Sequence, residues 1–191
     1  LYIEGIQNNG IINHYEYIIN SEGTIEIRHV LKPEGKMPLW FPRIGLTLTV
    51  SDALDQVKWY GRGPQENYPD RKTGYPMGIY ASTVQAMYEP YLMPQDYGLR
   101  TDVRWLQLTT DKGIGLQFKM NEWFNFNIYP YSTDNLTKAM YTYQLQKQKG
   151  MTLNLDYATT GVGCTARGVF GAYKAMPQEY RRTISIRPMM K

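Results

Sequence analysis

The chain has 191 residues, 42% of them apolar and 20% charged, enough to bury the core of one domain. Its net charge of +4 is scattered, with no Lys/Arg run to track phosphates, so no nucleic-acid partner is expected. Cys164 is the sole cysteine, which rules out an internal disulfide, and no apolar run approaches the ~20 residues of a membrane helix, so no membrane partner is expected either.

The chain opens at Leu1 within an Ile/Tyr-rich, strand-like stretch and shows no secretory leader, as a piece of a longer protein would. Asn8-Asn9-Gly10 predicts a hairpin turn, as do Ser21-Glu22-Gly23 and, further on, Asp111-Lys112-Gly113. Thr24–Arg28 alternates with its isoleucines on one face, and Pro33, Pro38 and Pro42 mark a longer connection. Ile44, Leu46, Leu48 and Val50 alternate next. From Tyr60 to Arg104, glycines and prolines break the pattern into long irregular segments, which on a sheet scaffold are functional or packed against a partner. Two further alternations, Leu116/Phe118/Met120 and Phe124/Phe126/Ile128, precede Ser132, which reads as the N-cap of a helix of about two turns. Met151, Leu153, Leu155 and Tyr157 then alternate with Thr152, Asn154 and Asp156, and Tyr180, Arg182, Ile184 and Ile186 close the chain. Each alternation predicts a strand with one buried and one wetter face, and the 17 tyrosines suit such strands. Many short strands with little helix predict an all-β fold, two packed antiparallel sheets in a single domain over 1–191.

The densest chemical cluster is Trp59–Arg71. Glu66 and Asp70 could form an acid/base pair of the glycosidase kind, which needs two carboxylates about 5–10 Å apart. Alternatively they pair with Arg62 and Arg71 and pin a long loop. Arginine neighbours lower a carboxyl pKa whereas a general acid needs it raised, which favours the second reading. Gly61-x-Gly63 fails as a dinucleotide loop because Pro64 follows and no helix does. His14 and His29 form no ligand pattern with Cys164, so no metal site is expected, and His29 reads as a packed strand residue. No nucleophile elbow occurs, and Cys164 has no identifiable base. Tyr80, Tyr88, Tyr91 and Tyr97, with Trp59 and Trp105, either form a stacking platform for sugar rings or build the core, the commoner use of aromatics.

The run W-Y-G-R-G-P-Q-E-N-Y-P-D-R at Trp59–Arg71 closely resembles the signature of the C-terminal domain of bacterial β-galactosidases in glycoside hydrolase family 2. Tyr88–Arg100 resembles that family's Y-x-P-Y-x-x-P-x-x-x-G-x-R stretch, Arg43-Ile44-Gly45 its P-R-I-G strand opening, and Leu153–Asp156 with Gly161-Val162-Gly163 its closing L-N-I-D…G-I-G. The similarity runs from about Ile25 to the C-terminus.

The resemblance implies an antiparallel supersandwich like that of galactose mutarotases, here lacking some N-terminal strands. It implies that the parent enzyme removes terminal β-galactosyl residues with retention, that its two catalytic glutamates lie in a separate TIM-barrel domain, and that this chain holds no catalytic residue. Mg²⁺ and Na⁺ would belong to the parent, at sites not placed on this chain. Trp59, Gly61, Gly63, Pro64, Glu66, Asn67, Tyr68, Asp70, Arg71 and Arg100 carry over as signature scaffold. Cys164, Thr165, Ala166, Arg167 and Gly168 would edge the substrate. The sequence departs from the family here: a substrate-stacking tryptophan found in relatives aligns with Gly168, and Tyr141 stands where the family often has His. The implied partners are the other domains of the parent, including its barrel, a β-galactoside at the rim, and further copies in a homo-oligomer. The compartment stays open between bacterial cytoplasm and periplasm. A free-standing carbohydrate-binding module and an oligomerisation domain are the alternatives.

Overall fold

A computed structural model describes residues 2–4, 10–164 and 168–190. The alternating segments form antiparallel strands: β1 (Tyr2–Glu4), β2 (Gly10–Ile19), β3 (Ile25–Glu34), β4 (Arg43–Val50), β5 (Gln56–Arg62), β6 (Met77–Thr83), β7 (Arg100–Thr109), β8 (Gly115–Tyr129), β9 (Met151–Thr159) and β10 (Tyr180–Met189). The fold is thus the expected all-β sandwich. The turns at Ser21–Gly23 and Asp111–Gly113 join β2 to β3 and β7 to β8, with Gly23 and Gly113 at φ near 78° where side chains are disfavoured. Asn8 and Asn9 lie outside the described residues, though β1 and β2 pair antiparallel, Glu4 opposite Gly10.

The topology is a fork. Strands β6, β5, β7 and β8 form the trunk. The first part of β8 pairs with β10, Ile184 opposite Met120, and leads on to β3 and β2. Its second part pairs with β9, Asn125 opposite Asp156, and leads on to β4. The two branches close on one apolar cluster, in which Ile27 and Leu31 of β3 join Ile44 of β4 and Leu153 and Leu155 of β9. The His29 Nδ1 and the Tyr157 hydroxyl, 2.7 Å apart, also tie the branches together.

Four expectations change. The patterns at 116–120 and 124–128 are one continuous strand, β8. Pro33 belongs to β3, opposite Ile11, where an edge position spares it from donating. The segment 60–104 is irregular only over 63–76 and 84–99, because β6 fills the gap between them. Most consequential, β9 has no wet face: Thr152, Asn154 and Asp156 are as buried as their apolar neighbours. Loop 84–99 reaches over that side, with the Tyr97 carbonyl accepting from Asn127 Nδ2 at 2.9 Å.

The one α-helix among the described residues, α1 (Thr133–Lys138), starts where expected, the Ser132 hydroxyl accepting from the Asn135 amide at 3.0 Å. Its Leu136 packs with Tyr97 and Tyr129 in a second small core.

Candidate functional site

Loop 63–76 leaves β5 through two glycines, Gly61 and Gly63, that sit too close to their neighbours for a side chain. A Cβ on Gly61 would strike Val103, and one on Gly63 would strike Tyr80 and Trp59, at 2.8–3.0 Å. This close approach lets Trp59 bury completely, its indole donating to the Arg62 carbonyl at 3.0 Å. Pro64 follows through a cis peptide, and its carbonyl accepts from Arg100 Nε at 3.0 Å. Arg100 lies over the Trp59 ring and also donates to the Gly98 carbonyl. Burial brings its guanidinium down to about 10, against the pull of Glu89 and Glu66. Asn67 locks the loop to β7, accepting from both the amide and hydroxyl of Thr101 at 3.1 and 2.5 Å.

Every carboxylate of the signature is already engaged. Glu66 is buried, and accepts from Arg71 Nη2 at 2.8 Å, the Gly98 amide at 2.9 Å, the Tyr68 hydroxyl at 3.2 Å and the Tyr91 hydroxyl. Burial alone would raise its carboxyl, but the bonds from Tyr91, Gly98 and Arg71 hold it below the usual range. A general acid needs the opposite shift, so the loop-pinning reading holds for Glu66. Asp70 differs from both expectations. It pairs with neither arginine and instead accepts from the amides of Val162 and Gly163 at 3.1 and 2.7 Å. Its carboxylate fills the space a Cβ on Gly161 would need. Arg62 pairs with Asp102 of β7 at 2.6 Å rather than with Glu66 or Asp70, and Lys72 shares that carboxylate. The two cations outweigh burial and hold the Asp102 carboxyl down, and they fix Asp102 at a left-handed φ of 56°.

A second ionic group lies alongside. Arg43 at the start of β4 bonds Asp156 of β9 through Nη2 at 2.7 Å and Nε at 3.2 Å, and reaches Asp96 at 3.4 Å. Asn127 donates to Asp96 and accepts from Asn154, whose own carbonyl accepts from Thr47. Burial pushes the Asp156 carboxyl up to about 6 against the attraction of Arg43. The guanidinium resists burial because Asp156 and Asp96 hold it charged. Sequence reasoning missed this pair, although Arg43 and Asp156 each stood in a quoted motif match.

Between the two groups opens a cleft of about 880 Å³, walled by Trp40, Arg43, Tyr68, Arg71, Tyr91 and Asp96, with Gly161 and Val162 at its edge. Arg43 and Arg71 bring guanidinium N–H groups beside the Trp40 face, while the Tyr68 and Tyr91 hydroxyl protons are already given to Glu66. Among the described residues no three His, Cys, Asp or Glu side chains converge to hold a metal ion.

The ten signature scaffold residues therefore come together as one knot. Of the rim residues, Cys164 and Gly168 are exposed just beyond the clamped Gly161–Gly163, while Thr165, Ala166 and Arg167 lie outside the described residues. Tyr141 is exposed and stacks on Tyr143. The proposed stacking platform dissolves. Trp59 packs on Tyr80 and Phe126, Trp105 on Tyr60, Tyr91 serves Glu66, and Tyr88 meets Tyr97 edge-on at 5.3 Å.

The sequence matches the family model of the beta galactosidase small chain over residues 4–186. Among curated proteins it is similar to a beta-galactosidase of Priestia megaterium, 36% identical over 162 residues, covering 84% of this chain and 16% of the relative. One from Vibrio cholerae is 39% identical over 122 residues, covering 64% and 11%. One from Pseudoalteromonas haloplanktis is 33% identical over 159 residues, covering 81% and 14%. The chain thus spans 16% or less of the length of these relatives.

Proposed function

The chain belongs to the β-galactosidase small-chain family, and from that we propose that it is the non-catalytic sandwich of a larger, retaining β-galactosidase of glycoside hydrolase family 2. In this reading the parent releases terminal β-D-galactosyl residues with two glutamates of a TIM barrel, and this chain supplies scaffold and one edge of the active-site mouth.

The observation that carries the reading is the Asp70 clamp. The most conspicuous acidic residue of the signature spends both oxygens on the amides of Val162 and Gly163. Its work is to hold the limb that leads into Cys164–Gly168. Glu66, the other carboxylate, is equally committed inward. Residues so engaged position other residues and cannot take up or release a substrate proton without breaking the knot. Arg167, next along the limb, brings guanidinium donors that suit sugar hydroxyls. The exposed Trp40, Val162, Phe170 and Tyr173 lie around the same end of the molecule, since Gly161 bonds the Tyr173 carbonyl and Lys174 covers Trp40. An apolar collar of this kind suits burial against the remaining domains. In this reading Mg²⁺ and Na⁺ belong to the parent enzyme and are assigned to no residue of this chain.

The test is Asp70→Ala in the full-length parent, with Arg167→Ala beside it. Each should raise KM for β-galactosides several-fold, or change the ranking of aglycones, while kcat stays within about twofold, the mark of lost binding rather than lost chemistry. Unchanged KM across several β-galactosides overturns the rim role. A collapse of kcat alone would make Asp70 part of the chemistry and overturn the non-catalytic reading.

A further inference from the structure

We propose that the free edge of β6 docks a second copy of this chain, the two β6 strands pairing antiparallel about a two-fold axis at Tyr80. The trunk of one sandwich then runs on into the trunk of the other.

The motivating feature is an edge without guards. β6 ends the sheet path and pairs only with β5. Apart from that ladder, no backbone–backbone bond among the described residues reaches 77–82. A free edge is a template for another strand, and proteins blunt it with charge, proline, a bulge or shortness. β6 has none of these. Its seven residues, M-G-I-Y-A-S-T, carry no charge and no proline, and their register with β5 runs unbroken. The other free edges among the described residues are guarded. β4 carries Arg43 and a register shift at Ile44/Gly45, the stretch of β2 beyond β1 carries His14 and Glu16, and β1 is only three residues long.

The face beside the β6 edge is apolar as well. Ile79 is 62% exposed, and Met77 and Tyr60 are 37% and 36% exposed. Tyr60 lies opposite Ile79 across the ladder, and its ring meets that of Trp105 one strand further in. An uncovered isoleucine at the last strand of a sheet is covered best by a strand that continues the sheet.

The strand's own sequence selects the partner. Tyr80 is the central residue of the seven, so a two-fold there pairs them all. Ile79 meets the partner's Ala81, Gly78 the partner's Ser82 and Met77 the partner's Thr83. Such an interface is isologous, with every contact made twice. No like charges oppose each other, and each large residue of the outer face meets a smaller one. The row Trp105–Tyr60–Ile79 continues over the partner's Ala81 to the stem of the partner's Lys58, because Lys58 lies opposite Ala81 in β5. β6 lends no residue to the cleft or to the Gly161–Gly163 limb, so the inference stands apart from the rim role.

The 191-residue chain is examined by sedimentation equilibrium up to roughly 100 μM, where a dimer should fill as concentration rises. Ile79→Lys should weaken the dimer at least tenfold, because it brings two unpartnered ammonium groups to the seam. Ile79→Lys combined with Ala81→Glu should recover it to within about threefold of wild type, since the two-fold sets each lysine opposite a glutamate. Ile19→Lys, at the exposed end of β2, should dimerise as wild type does. All three positions are exposed, so the far-ultraviolet circular dichroism of every variant should match wild type. Four outcomes overturn the proposal: a wild-type chain that stays monomeric, a dimer indifferent to Ile79→Lys, a double variant as weak as Ile79→Lys alone, or a dimer lost in Ile19→Lys. The first would assign the edge to a strand from elsewhere in a parent enzyme.

Discussion

The two branches that leave β8 treat charge in opposite ways. On the β10–β3–β2 side most charges face water: Arg28 pairs with Glu16 and Glu26, all substantially exposed, the buried His29 is a neutral ring, and the largely covered Arg182 of β10 pairs with the exposed Glu122. On the β9–β4 side the charges are inside: Asp156 is 2% exposed and Arg43 reaches it from the cleft wall. Yet Thr24–Arg28 and Thr152–Asp156 have nearly the same alternation, T-I-E-I-R against T-L-N-L-D. What separates them is a third layer. Loop 84–99 lies over one polar face, whereas among the described residues Glu16, Glu26 and Arg28 on the other stay open to solvent. Alternation sets which side chains share a face, and neighbours elsewhere in the chain decide whether that face is wet.

The sharpest way to break the contrast is Arg43→Met, which leaves Asp156 buried without its partner. Losing one member of a buried pair should destabilise by about 3–5 kcal/mol in urea unfolding at pH 7. The loss should shrink at pH 5, because a carboxyl with a raised pKa takes up a proton and sheds the unpaired charge. A loss below about 1 kcal/mol would mean that the interior charge on this side is no more structural than a surface pair.

Acid should also pull the branches in opposite directions. Burial lowers His29 to about 4, so as pH falls the unfolded chain is protonated first, and this branch loses stability from about pH 6.5 down to about 4. By pH 5 the loss should be about 2 kcal/mol. Asp156, raised to about 6, takes its proton first in the folded state; its contribution grows as pH falls through 6 and is complete below about 4. His29→Gln should therefore flatten the acid loss, and Asp156→Asn should steepen it. If both variants track the wild-type slope in denaturant titrations from pH 7 to 4, the opposition is absent. At the small end, Arg28→Gln should leave the unfolding midpoint unmoved at either pH, because its partners are exposed and screened.

Much of the scaffold was legible in sequence because its determinants are local. Period-two alternation located β3, β4, β8 and β9, Gly23 and Gly113 announced their hairpins, and Ser132 announced α1. The resemblance marked Trp59–Arg71 as a unit, and its glycines do sit where no Cβ fits. What stayed hidden depends on distant pairings. Asp70 offered two nearby arginines, yet its partners are amides more than ninety residues on. Arg43 and Asp156 were visible only as members of separate motifs, and the β4–β9 pairing that joins them is long-range.

The fork has a mechanical consequence that follows from β8 alone. One unbroken strand pairs with β7 along one edge and with both branches along the other, so neither branch can peel away without tearing hydrogen bonds from a rod shared with its sibling. Damage at one tip is thereby felt at the other, and the sandwich melts as a single cooperative unit rather than in halves.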